Sequence, residues 1–175
     1  MNEFAHHLSS VYFGVFLQLV TAVVIVMLGV AMYGTAGRTN QMTAAIALSL
    51  YLFEAVLLAV SQIFVFGFAE VSRLYVSSED PALFPLGEIL LSVRDFTALT
   101  AIIPFGIGAV FFYSLLMKAA IIPKWLARWG MITVSFVLVG ATFMAFRVAV
   151  PLVLVIPYVP FEFFTGIYIW TKYRK

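Results

Sequence analysis

The chain has 175 residues, of which 64% are hydrophobic and 10% charged, with a formal net charge of +2 and no cysteine. Soluble domains carry about 25% charged residues, and so few polar side chains cannot give a globule of 19.4 kDa a wettable surface. The composition excludes a soluble globule, a disordered chain, a disulfide scaffold and any thiol or thiolate chemistry.

Residues 1–10 contain Glu3 and neither Lys nor Arg, so no secretory leader is expected and the first apolar run is expected to be retained. That run, 11–33, holds 23 residues without a charge. Beyond Arg38, 42–68 is a run of 27 residues whose one charge is Glu54. In the segment 69–95, Ser77-Ser78-Glu79-Asp80-Pro81 reads as a turn or helix start, and 83–91 is apolar enough to lie on a membrane surface or cap a bundle. The run 96–117 has 22 uncharged residues, and Pro104, just before Gly106 and Gly108, is expected to break its start. In the loop 118–130, Pro123 suits the first turn of a short helix. Trp125 with Trp129, and Lys124 with Arg128, then fall four apart on shared faces. The runs 129–146 and 148–170 follow, the second carrying Glu162 and interrupted by Pro151, Pro157 and Pro160. One helix over both would be about 60 Å long, twice the hydrocarbon core, so a tight hairpin is expected near Arg147 and Pro151.

A helix crosses a core of about 30 Å with about 20 apolar residues. The five runs meet or approach that length and take up 113 of the 175 residues. They are continuous rather than alternating, which argues against a transmembrane barrel. The expected fold is therefore all-α, a single domain over 1–175 forming a polytopic transmembrane bundle of about five spans. Lys and Arg set its orientation. Arg38, Lys118, Lys124, Arg128, Lys172, Arg174 and Lys175 fall on one side, against Arg73, Arg94 and Arg147 on the other. Glu3, Glu70, Glu79, Asp80, Glu88 and Asp95 join the sparser side. The N-terminus is expected outside and the C-terminus in the cytoplasm. The sequence pI of about 9.0 averages two oppositely charged faces. It calls for anionic membrane lipids as partners and for no nucleic acid.

Three stretches in order carry a family resemblance: Phe105-Gly106-Ile107-Gly108-Ala109, then Phe112-Tyr113-Ser114-Leu115-Leu116, then Ile122-Pro123-Lys124-Trp125-Leu126-Ala127-Arg128-Trp129-Gly130. Arg94-Asp95, the stretch Phe53 to Leu58 and Glu162 after a proline-containing segment match as well. From about Phe16 onward the chain resembles the bacterial multi-pass membrane family known as domain of unknown function 4386. The resemblance implies a multi-pass helical fold in a bacterial inner membrane and brings no activity with it. Family members typically have one further N-terminal span, and Pro157 to Phe161 is richer in proline than the family pattern.

Ionisable groups inside a bilayer are costly and mark candidate sites. Glu54 is expected about 18 Å and Glu162 about 12 Å from the basic side at 1.5 Å per residue, so neighbouring helices would let the carboxyls share a proton or a cation. Tyr51 and Tyr158 each lie one turn from one of them and are placed to donate hydrogen bonds. The same residues equally suit a structural role, as neutral glutamates gluing helices together. Arg94 and Asp95, with Gln62 at similar depth, read either as a helix-fixing cluster or as a receptor for an anionic headgroup or substrate. Lys124, Trp125, Arg128 and Trp129 read as an interfacial lipid contact. Arg147 reads as a snorkelling residue.

His6 and His7 are adjacent and lack further ligands, so neither a metal nor a cofactor is expected. No H-E-x-x-H, G-x-S-x-G or phosphate-loop motif occurs, so no enzyme is expected. Two functions fit. One is a non-enzymatic membrane module that binds a lipid-like or amphipathic ligand or serves as a membrane partner subunit. The other is a small proton-linked transporter using Glu54 and Glu162 and working as a homo-oligomer. Ala45/Ser49, Thr97/Ala101 and Ala141/Ala145 supply small-residue contacts for assembly.

Overall fold

The apolar runs wind into helices because lipid leaves the backbone no other partner for its N–H and C=O groups. A computed structural model describes residues 7–146, 148–154 and 156–173. Its elements are α1 (Leu8–Ala36), α2 (Gln41–Ser78), α3 (Leu83–Lys118), α4 (Lys124–Ala145), a 3-10 turn (Leu152–Leu154) and α5 (Tyr158–Tyr173), with no strand among the described residues. The first four helices are long and apolar enough to cross a membrane.

Successive helices run antiparallel. The α2–α3 pair is the most extensive contact; α1 lies against α2, α4 against α3 and α5 against α4, while α1 barely touches α3. The α2 seam repeats every seven residues: Ala47, Glu54, Ser61 and Phe68 are all buried, with Ala44, Tyr51 and Ser72 on the companion row. That is the 3.5-residue period of a left-handed helix pair. Most of its side chains are small, which lets the backbones approach closely. Only Ala22, Gly29 and Ala36 of α1 are buried, again seven apart. The centre of the bundle is the 101–116 half of α3, where Ala101, Pro104, Gly108, Phe112 and Leu115 are enclosed.

Helix ends follow local chemistry. Asn40 caps α2, its side-chain oxygen accepting from the Thr43 N–H at 3.0 Å. Asp80 Oδ1 accepts from the Ala82 N–H at 2.9 Å in the turn into α3. At the other end of α3, Ala120 takes a left-handed φ of 54° and the Ile121 N–H returns to the Leu116 carbonyl at 3.0 Å, the bond of a Schellman closure.

Four expectations need correction. The run 148–170 is not one continuous helix. Its helical part, α5, has 16 residues and is about 24 Å long, short of the core thickness. Pro151 and Pro157 withhold two backbone donors before it, and among the described residues there only the short 3-10 turn forms. The tight hairpin is therefore a longer connection, within which Arg147 lies outside the described residues. The break at Pro104 does not occur: α3 runs unbroken through it, the proline being buried where neighbouring helices cover the backbone. The segment 83–91 is neither a surface helix nor a cap but the beginning of α3. In the segment 118–130 the helix expected at Pro123 forms, but it is not short: it is the beginning of α4.

The charges are sorted. Arg38, Lys118, Lys124, Arg128 and Lys172 belong to the end formed by the α1–α2 and α3–α4 turns. There Lys172 Nζ donates to the Ala120 and Ile121 carbonyls at 3.2 and 2.9 Å, fastening the end of α5. Glu70, Glu79, Asp80, Glu88 and Asp95 belong to the opposite end, around the α2–α3 turn. At that end the Tyr12 hydroxyl donates to Glu70 Oε1 at 2.7 Å, and Arg73 pairs with Glu70 at 2.8 Å.

Candidate functional site

Polar groups meet inside the bundle at two places. The first surrounds Glu54, whose seam position leaves it 7% exposed. Its Oε2 is buried and accepts no hydrogen bond from the described residues. One turn earlier, the Tyr51 ring lies on the backbone of Gly108: a Cβ there would stand 2.9 Å from Tyr51 Cδ2. The ring meets Phe112 edge-on at 4.9 Å and Phe105 at 6.4 Å. Tyr158, at the start of α5, packs edge-on against Phe105 at 5.6 Å, and its hydroxyl lies 3.1 Å from that of Tyr113. Phe161, fully enclosed, closes the group against Tyr113 at 5.0 Å.

Glu162 is placed differently. It is exposed on α5 beside Phe163, Gly166 and Ile167, and no hydrogen bond joins it to Glu54 among the described residues. The structure thus links Tyr51, Tyr113 and Tyr158 through Phe105, Phe112 and Phe161, with Glu54 one turn from Tyr51, and leaves Glu162 exposed on α5. Tyr113 belongs to the Phe112-to-Leu116 motif, which by itself assigns it no role. Its signal was a phenol on a helix face bound for the core, where a hydroxyl needs a partner.

The second place is a cleft of about 440 Å³ where α1, α2 and α3 diverge. Gln18, Ser61, Gln62 and Arg94 line it, among Val11, Val15, Leu58, Val65 and Leu91. The Ser61 hydroxyl donates to the Leu58 carbonyl at 2.7 Å and accepts from Gln62 Nε2 at 3.0 Å. Arg94 Nε comes within 3.1 Å of Asp95 Oδ1, but the approach is poorly aligned and Nε makes no hydrogen bond. Asp95 itself turns outward. Arg94 and Gln62 therefore share a cleft that Asp95 does not enter. Gln18 escaped the sequence reading, although an amide within an uncharged run of 23 was a visible signal.

At the basic end Lys124, Arg128 and Trp125 are exposed, Trp125 at 59%. Trp129 stacks on Trp125 at 6.4 Å and also packs on Phe161 at 5.9 Å and Phe164 at 5.7 Å. One tryptophan faces outward, and the other holds α5.

Long apolar helices in series, with most of their charges sorted to two ends, define a polytopic helical membrane protein. The chain belongs to the family described as Domain of unknown function (DUF4386), whose model matches residues 1–172 and so reaches further toward the N-terminus than the motifs alone. No curated protein and no solved structure matches the chain.

Proposed function

We propose that this protein is a non-enzymatic module of a bacterial inner membrane, holding a lipid-like or amphipathic ligand in the cleft between α1, α2 and α3. One observation carries the reading: Gln18, Ser61, Gln62 and Arg94, from three helices, meet in a cleft whose remaining walls are aliphatic. Arg94 receives the anionic end of the ligand, its guanidinium being held by Asp95 only through proximity. The excess of Lys and Arg at the opposite end supports a cytoplasmic C-terminus and an outward-facing cleft.

The test is native mass spectrometry of lipid co-purified in mild detergent, comparing the native chain with Arg94→Gln and Gly14→Phe. Gly14 borders the cleft, and a Cβ added there meets nothing within 4 Å, so a bulky side chain is expected to start into open space beside the cleft. A bound amphiphile on the native chain, lost from both variants at unchanged thermal midpoint, is expected. Equal retention by all three ends the proposal.

The second reading, a small proton-linked transporter active as an oligomer, draws on one observation: Glu54 is buried with an oxygen that no donor satisfies among the described residues. Polar groups so placed are costly unless they serve a purpose. Glu162, exposed on α5, is the second acid of this reading.

A further inference from the structure

A second cleft opens on the other half of α1, at the basic end. It measures about 620 Å³, inside the range of about 300–1,000 Å³ usual for ligand sites. Leu28 and Met32 of α1, Leu116 of α3 and Ile169 of α5 form its walls, while Arg38 stands at its rim. Gly34 borders it, and a Cβ there meets nothing within 4 Å. The missing side chain is part of what leaves the space.

The charge around this cleft is one-sided. Arg38 is exposed and forms no ion pair among the described residues. Neither turn at this end, 37–40 or 119–123, contains a carboxylate, and 166–173 of α5 contains none. Lys118, Lys124 and Arg128 add three more cations. A soluble anion would use the rim and leave the aliphatic walls bare. A neutral apolar molecule would use the walls and leave Arg38 without a counter-charge. A molecule with a hydrocarbon chain and a phosphate satisfies both.

We infer that the cleft between α1, α3 and α5 seats an acyl chain of an anionic phospholipid whose phosphate rests on Arg38. The site is separate from the Arg94 cleft and does not depend on it. The experiment loads the full-length protein, in detergent, with dioleoyl phosphatidylglycerol or dioleoyl phosphatidylcholine and counts retained lipids by native mass spectrometry. The native chain is expected to retain phosphatidylglycerol in preference to phosphatidylcholine. Arg38→Gln, an exposed change that leaves the packing alone, is expected to weaken phosphatidylglycerol about fivefold, the worth of one cation at a lipid headgroup. Gly34→Phe fills the cleft and is expected to remove that lipid, whereas Gly14→Phe, at the other cleft, leaves it bound. Equal retention of the two lipids by the native chain overturns the inference. So does undiminished phosphatidylglycerol on both Arg38→Gln and Gly34→Phe. Loss only from Gly14→Phe would also overturn it, while leaving the Arg94 cleft standing.

Discussion

Glu54 shows how one residue can be conspicuous in a sequence and still conceal its circumstances. As the only charge in a run of 27 it is evident at once. Its buried seam was readable too, because Ala47, Ser61 and Phe68 recur at its spacing of seven. What the spacing did not show is that Oε2 would have no donor. Glu162 looked equivalent from its depth, yet it is exposed, because α5 is short and meets the bundle along the face of Phe161 and Tyr158. Tyr113 escaped for a different reason: its partner Tyr158 lies 45 residues away, and no local pattern reports such a pair. The transporter reading is decided at this scale. Glu54→Gln keeps the shape and removes the exchangeable acid, so in proteoliposomes it is expected to abolish proton flux while the protein still folds. Flux equal to that of the native chain in both Glu54→Gln and Glu162→Gln would end that reading.

Helix contacts explain the family motif. In lipid, close packing rather than the hydrophobic effect holds helices together. In the Ile122 to Gly130 stretch, Ile122, Leu126 and Ala127 are buried, Pro123 precedes the first turn of α4, and Trp129 packs on Phe161. Gly130 receives the same ring: a Cβ there would stand 2.7 Å from Phe161 Cε2. Gly130→Ala is therefore expected to lower stability by about 1–3 kcal/mol, the usual cost of overpacking. Gly14→Ala, facing open space within a helix, is expected to gain up to about 1 kcal/mol. Thermal unfolding in detergent measures both, and a midpoint for Gly130→Ala at or above that of the native chain would refute the seating of α5. The reading of the tryptophans as interfacial anchors missed this inward role, because spacing puts both rings on one face without saying what that face meets. Hydropathy located the four long helices, but it reports the extent of the lipid rather than of the helix. It stopped at 68 and restarted at 96, while α2 and α3 continue through Glu70, Arg73 and Glu88. It also rated 148–170 as a span on its apolar side chains, where the prolines decide the backbone.

Across the whole molecule the sorted charges make a statement about sidedness that chemistry can check. The chain has no cysteine, so single cysteines are clean reporters. With Glu79→Cys and Lys124→Cys in intact bacterial cells, a membrane-impermeant maleimide is expected to label the first at once. It should label the second only after permeabilisation. The reverse pattern would invert the orientation and turn the Arg94 cleft toward the cytoplasm.

The length of the α2–α3 pair has a mechanical consequence. At 38 and 36 residues the two helices are about 57 and 54 Å long, against a hydrocarbon core of about 30 Å. At the tilts usual for membrane helices, the pair is longer than the hydrocarbon is thick, and its charged end around Glu79 is the part expected to stand outside. From that tip to Glu54, α2 is one uninterrupted rod, and Gln62 and Ser61 lie along it. Arg94 lies on its companion. Both are continuous helix along this stretch. A pull on the exposed tip would therefore reach the cleft and the buried carboxyl through unbroken helix on both sides.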